Sequence, residues 1–359
     1  MNKDDSAILS VDFLAGFTIF LVALIIVINM MPGLLIGVHS SAVDYDAVAY
    51  RTSVILAEDP GWPYSPAWEL EDSTHKDNIN RLGLSVSSDT PNILSTQKIS
   101  KFFGTVSDFS FTTEEYREKA IFGDLPYSFN ISLKDDSSSA LYTGDPVPQT
   151  RYGYMKRLVK IKHYASADLS GGDLNTTEIN LPDPGPAPFT YENGVSFILK
   201  YSEIFDRTIS PAYRIDPKNE PLKFKLSNFS QSLNITPGEI KSVTLDKVRF
   251  VKDGVVISMP YGNLDNSTYL FHIDGMQYNM TPNPPIDMSN KSEIDFELMP
   301  TLMFSSEITS TLALTFNFTY TFATNTSNYP IQGDISYIYG SPYITEPFLT
   351  DGVMEVCIW

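Results

Sequence analysis

Asparagine precedes x-Ser or x-Thr at Asn130, Asn175, Asn228, Asn234, Asn266, Asn279, Asn290, Asn317 and Asn325. This triplet is the acceptor for an N-linked glycan on the asparagine amide. Random placement of Ser and Thr would give about three or four such triplets among the chain's asparagines. All nine lie beyond residue 125 and none lies in the apolar N-terminal stretch. They predict a glycosylated head outside the cell. The competing explanation is that Asn, Ser and Thr are common in exposed strands and turns.

Other reactive patterns are missing. His39, His75, His163 and His272 form no metal-spaced pair such as HExxH. There is no G-x-S-x-G and no phosphate-binding glycine loop. DLSGGD (168–173) and KDDSSS (134–139) cluster oxygen ligands of the kind Ca²⁺ takes, but neither has EF-hand spacing. Solvated loops explain them better. The pattern predicts no catalytic residue, no metal and no cofactor, hence no enzyme; a paired-carboxylate hydrolase would need partners that no motif marks. One carboxylate is oddly placed: Asp12 stands at the near edge of SVDFLAGFTIFLVALIIVINMMPGLLIGV.

That stretch is the first element to consider. No charged residue occurs from Phe13 to Val38. At about 1.5 Å per residue, such a helix exceeds the roughly 30 Å hydrocarbon core. The run is too long for a signal-peptide core, its leader MNKDDSA is not basic, and no small-x-small cleavage site follows it. It predicts a retained transmembrane helix over about residues 12–38, crossing once. Pro32-Gly33 predicts a kink or local melting. Gly33 and Gly37 form a small-xxx-small pair that permits close helix approach. Beyond it, Val43, Val48, Ala49, Thr52, Ile55 and Leu56 recur at helical spacing until Asp59-Pro60-Gly61. Residues 1–59 therefore read as one long helix, apolar first and amphipathic after. With the sequons beyond it, the N-terminus is expected inside and residues after about 40 outside.

The rest of the chain must form the head. Asp+Glu outnumber Lys+Arg 43 to 25, a net charge of −18. That balance repels nucleic acid. The single cysteine, Cys357, excludes an intramolecular disulfide. It reads as a small buried apolar residue in a last strand or as one half of an intermolecular bridge. Asp89-Thr90-Pro91 is expected to open a helix that Gly104 ends, and Thr112–Glu115 carries a capping box. Period-two patterning begins at YSFNISL, RLVKIKHY and VSFILKY. The proline-studded LPDPGPAPF (181–189) suggests a boundary between a 60–185 head and a 190–359 domain. In the latter, Asp253-Gly254 marks a hairpin. TLALTFNFTYTF puts Leu312, Leu314, Phe316, Phe318, Tyr320 and Phe322 on one face. Repeated short strands predict a β-sandwich.

An apolar half-helix, then an amphipathic half leading into a β-rich head, resembles the plan of type IV pilins and their archaeal relatives. SVDFLAGFTIF is similar to pilin-like surface proteins of methanogens, and the similarity extends through VDYDAVAYRTSVILAEDPGWP, DTPNIL and AIFGDLPYSFNISL. The resemblance implies an α+β fold: a long N-terminal membrane-spanning helix fused to a β-rich, pilin-like extracellular head. It implies processing between Ala7 and Ile8, which makes Asp12 the fifth residue. In that family the fifth-position carboxylate neutralises a neighbour's terminal amine. Subunit contact would then fall on Asp12, Phe13, Gly16, Phe17, Phe20, Gly33 and Gly37, within a cell-surface filament of self-associated or other pilin-like subunits. The leader's Lys3-Asp4-Asp5-Ser6-Ala7 departs from the family's usual basic residue beside a small one. A second explanation of Asp12 is an acidic residue near a helix N-terminus at headgroup depth. The alternative function is a non-polymerising, single-pass surface adhesin or envelope-binding protein.

Overall fold

The computed structural model describes residues 5–39, 44–64, 67–105, 109–122, 125–135, 140–170, 188–227, 240–257, 268–300, 311–323, 335–340 and 344–359. The molecule is β-rich, with a single long apolar helix at the N-terminus of the described chain.

Helix α1 (Asp5–His39) runs without interruption through Pro32-Gly33. The expected local melting does not occur, because a proline removes one helical hydrogen bond without obliging the turn to open. The expected single helix to residue 59 is corrected. A second helix, α2 (Tyr45–Glu58), starts afresh at Asp44, which has non-helical backbone angles (φ −78, ψ 86). Its carboxylate accepts from the Ala47 amide at 3.1 Å. Asp44 and Asp46 form a helix-start signature that the apolar spacing alone had concealed. Asp59, extended and followed by Pro60, ends α2.

The head is a sheet laid over α2. Its strands are β1 (Ile93–Ser95), β2 (Phe129–Asp135), β3 (Leu141–Gly144) and β4 (Gly153–His163), joined by one from the far end of the chain. The short helices α3 (Thr96–Phe102) and α4 (Thr113–Tyr116) flank it. The capping box at Thr112 and Glu115 forms as expected. The start of α3 does not: its cap is Ser95, whose Oγ accepts from the Lys98 amide. Residues 89–92 form turns, and 93–95 pair with β4 before the helix begins. Ala49, Leu56 and Ala57 of α2 bury against Phe129, Ile131, Val159, Met354 and Ile358. Gly153 makes this approach possible, since a Cβ there would lie 2.1 Å from the Tyr45 carbonyl.

The sandwich has its own core. Its strands are β5 (Ser166–Ser170), β6 (Phe189–Lys200), β7 (Leu222–Ser227), β8 (Ile240–Lys252), β9 (Val255–Ile257), β10 (Tyr269–Ile273), β11 (Met276–Gln277), β12 (Ile286–Asp287), β13 (Glu293–Leu298), β14 (Thr311–Phe322), β15 (Ile335–Ile338) and β16 (Ile344–Thr345). One sheet has the order β11-β10-β13-β7-β5-β16 and the other β12-β8-β14-β6-β15, with β9 on β8. The six alternating side chains of β14 are buried as the pattern predicts, facing Phe224, Phe271 and Phe296 of the opposite sheet. Asp253 and Gly254 both take positive φ at the β8–β9 hairpin.

The final strand, β17 (Phe348–Ile358), leaves the sandwich and pairs with β4 and β2 at the centre of the head sheet. Strand β5, by contrast, joins the sandwich. The expected division into 60–185 and 190–359 is therefore replaced. The sandwich spans 166–345 and sits between β4 and β17, two neighbouring strands of the head. Its ends meet where His163 pairs with Phe348. The prolines at 181–187 lie outside the described residues, so they place no boundary. Cys357 is buried in β17, in keeping with the apolar reading.

Candidate functional site

Two regions stand out: the uncovered helix and the junction of head with sandwich. From Phe13 to Met30 no residue of α1 is buried, and mean hydropathy is 2.6. Eighteen residues rise about 27 Å, close to a hydrocarbon core. The helix is thus long and apolar enough to cross a membrane. Phe13, Phe17 and Phe20 are exposed, and the rings of Phe13 and Phe17 stack at 6.2 Å. At Gly16 no atom lies within 4 Å of an added Cβ, so its surface is open. Ala7, Ile8, Asp12, Gly33 and Gly37 all lie on the helical backbone of α1.

The sequons fall into three groups. Asn290 is exposed in a turn before β13. Asn130, Asn279 and Asn317 are half-buried: the Asn130 amide donates to the Asp145 carbonyl at 2.9 Å, and Oδ1 of both Asn279 and Asn317 is enclosed. Asn175, Asn228, Asn234, Asn266 and Asn325 lie outside the described residues.

The junction is built on buried charge. Cap Ser95 fixes α3 so that Lys98 and Lys101, three residues apart, share one face. Lys98 Nζ donates to the carbonyls of Pro60 (2.7 Å) and Ser85 (2.8 Å) and lies 3.8 Å from the Glu69 carboxylate. Lys101 donates to the carbonyls of Glu69 and Glu71 and lies 4.0 Å from the Phe109 ring centroid. Burial pushes the Glu69 carboxyl up, against the pull of Lys98, and pushes Lys98 down. Burial also brings Lys101 down to about 8. Tyr164 Oη lies 2.5 Å from Ser95 Oγ and accepts from the Gln97 amide.

The clamp between the two units is Lys162, fully buried near the end of β4. Its ammonium donates to the carbonyls of Pro211 and Arg214, each at 2.8 Å, and to Glu220 at 2.5 Å. Those three acceptors belong to the sandwich. Three donors thus meet three acceptors, which is what lets a charge sit away from water. Burial raises Glu220 to about 7, opposed by Lys162.

Beside the clamp a cleft of about 470 Å³ opens between the units. Leu70, Glu71 and Asp72 with Ser100 of α3 form one wall; Lys223, Leu270, His272 and Glu297, on the outer face of a sandwich sheet, form the other. Between residues 60 and 125 the sequence offers only helix-start and helix-stop signals, at 89–91, Gly104 and 112–115, and no site. The missed signal was the pair of lysines on the same side of α3 as the apolar Ile99 and Phe102.

The chain is similar to an archaeal protein. Over 152 residues it is 28% identical to an uncharacterized protein of Archaeoglobus fulgidus, covering 41% of this chain and 80% of that one. No family model and no solved structure matches the chain. Since 152 residues make up 80% of it, the relative is about half as long as this protein.

Proposed function

We propose that the protein is a type IV pilin-like structural subunit of an archaeal cell-surface filament. Helix α1 anchors it in the membrane and packs against α1 of neighbouring copies, while head and sandwich stand outside and carry N-linked glycans. The observation that carries this reading is the division of labour between the two helices. α1 has an apolar surface with none of its Phe13–Met30 window buried, while α2 buries its inner face under a largely antiparallel sheet. Apolar helices in lipid associate by close packing, and the stacked Phe13/Phe17 pair with the open Gly16 offers a knob and a hollow on one helix. The related archaeal sequence supports the setting. The site has no catalytic role in this account.

Mass spectrometry of the mature N-terminus, together with the composition of purified surface filaments, tests the proposal. The expected result is a chain beginning at Ile8 and present in filaments, with Asp12→Ala losing assembly but not membrane insertion. An intact Met1 on a protein absent from filaments would refute it and leave a single-pass adhesin.

A further inference from the structure

We propose that a second copy of this chain docks face to face, about a two-fold axis, on the outer surface of the sandwich sheet that runs β9-β8-β14-β6-β15. A sheet with one face in solvent alternates apolar-in with polar-out. The outer positions of β14 obey this at Thr311, Thr315, Asn317, Thr319 and Thr321. Ala313 breaks it, and the neighbouring strands break it in the same register. Val256 of β9 pairs with Val251 of β8, Val251 with Ala313, Ala313 with Ile198 of β6, and Ile198 with Ile338 of β15. Paired residues share a face of the sheet, so these five apolar side chains form one unbroken row. Val256 is 57% and Ile338 46% exposed, and the three between them are half-buried. Four strand spacings make the row about 19 Å long. Scattered apolar residues are normal on a surface, but a contiguous patch marks an interaction site.

The flanks of the row choose the partner and its orientation. Arg249, Thr315 and Ser196 stand on one side, and Asp253, Thr311 and Lys200 on the other. Arg249 and Asp253 lie two residues before and after Val251, about 7 Å to either side of the row. Arg249 is exposed and has no ion pair among the described residues. Asp253 is exposed in the hairpin turn, where its Oδ1 accepts from the Thr311 amide at 2.8 Å. A two-fold axis along the row lays each residue of the row on its own counterpart and sets Arg249 of either copy opposite Asp253 of the other. An axis along the strands would set Arg249 against Arg249. Charge therefore selects the first arrangement, an isologous contact that closes as a dimer. The row and its flanks cover roughly 400–500 Å² per copy, at the low end for a specific interface. α1 offsets this by confining copies to one membrane, which raises their effective concentration. The dimer thus rests on the membrane anchoring proposed above, and not on processing or filament assembly.

The test uses the full chain in proteoliposomes, with one cysteine added at a time and a bismaleimide that spans about 10 Å, the spacing of packed sheets. Native Cys357 is buried, and the unaltered chain controls for it. Ala313→Cys and Ile338→Cys should each cross-link as homodimers, because each residue faces its own counterpart. Thr315→Cys and Thr321→Cys, two and eight residues further along β14, should cross-link at least fivefold less. Arg249→Glu sets like charges opposite Asp253; added to Ala313→Cys, it should lower the yield at least fivefold with the melting temperature unchanged. Equal yields at all four positions would reflect random collision and overturn the proposal. Cross-linking through Ala313→Cys but not Ile338→Cys would refute the axis and the proposal with it. No cross-link at either row position would overturn it as well. Flotation of the liposomes reads anchoring separately, so failure of the anchor and failure of the dimer are told apart.

Discussion

Replacing Lys162 by Met removes the cation from a site where it is fully buried and leaves Glu220, whose side chain is 9% exposed, without its partner. Three acceptors lose their donor at once: the Glu220 carboxylate and the carbonyls of Pro211 and Arg214. Removing one partner of a buried pair costs about 3–5 kcal/mol. The double variant Lys162→Met with Glu220→Leu removes both charges, and apolar replacement of a buried pair is near neutral or stabilising. It should therefore recover most of the loss. The loss should also depend on pH. Glu220 already titrates near 7 when folded, against an ordinary 4.5, because burial disfavours its charge. Without Lys162 its folded pKa rises further. The folded state then holds a proton that the unfolded state has released, so stability falls as pH rises above about 4.5. Lys162→Met should cost more at pH 8 than at pH 5. Urea unfolding followed by tryptophan fluorescence measures this, since Trp62, Trp68 and Trp359 all lie in the head that Lys162 belongs to. A loss under about 1 kcal/mol at pH 8, or a double variant as unstable as the single one, would refute the clamp.

Three further outcomes follow from particular contacts. Gly153→Ala drives a methyl to 2.1 Å from backbone atoms of Tyr45, so α2 must move off β4; the loss should be about 1–3 kcal/mol or more, read by thermal melting. On the outer sandwich face, burial and then the adjacent Glu293 raise Asp295 to about 6, while the Lys225 hydrogen bond lowers Glu293. An NMR titration should show a carboxyl step near pH 6 that Asp295→Asn abolishes; this contribution to stability is full below pH 3.8 and lost as pH rises through 6. Replacing residues 165–346 by a two-residue turn, together with Lys162→Met to remove the cation left without its partner, should leave a head that unfolds cooperatively. An aggregated product without a melting transition would show that the head depends on the sandwich.

The parts of this structure that were legible in the sequence are those governed by local period. The alternation of β14, the Asp-Gly hairpin and the Thr112 capping box depend on neighbours a few residues away, so pattern alone suffices. Strand membership obeys a different rule. Nothing within FLTDGVMEVCI says that its partners lie some 200 residues earlier, and β5 carries no mark that assigns it to β7 rather than to β4. The junction site is illegible for the same reason. Glu69, Lys98 and Lys101 look like ordinary surface charges until the fold brings α3 against the short 3-10 helix Trp68–Leu70 and the loop carbonyls of Pro60, Ser85 and Glu71. Their burial follows from backbone acceptors, which no side-chain motif records.

The insertion of the sandwich also explains why its junction carries so many buried charges. A module entering and leaving through adjacent strands is tethered by two short connections at one point, at His163–Tyr164 and just before Phe348. Such a tether fixes position but leaves rotation free, and an apolar interface there would slide. A buried ammonium with three fixed acceptors does not slide, because any rotation strands at least one of them. The Lys162 clamp therefore sets the angle of the sandwich on the head, and with it the width of the cleft between them. On this argument the double variant that restores stability should leave the angle of the sandwich on the head unfixed: apolar packing replaces the energy of the clamp but not its direction.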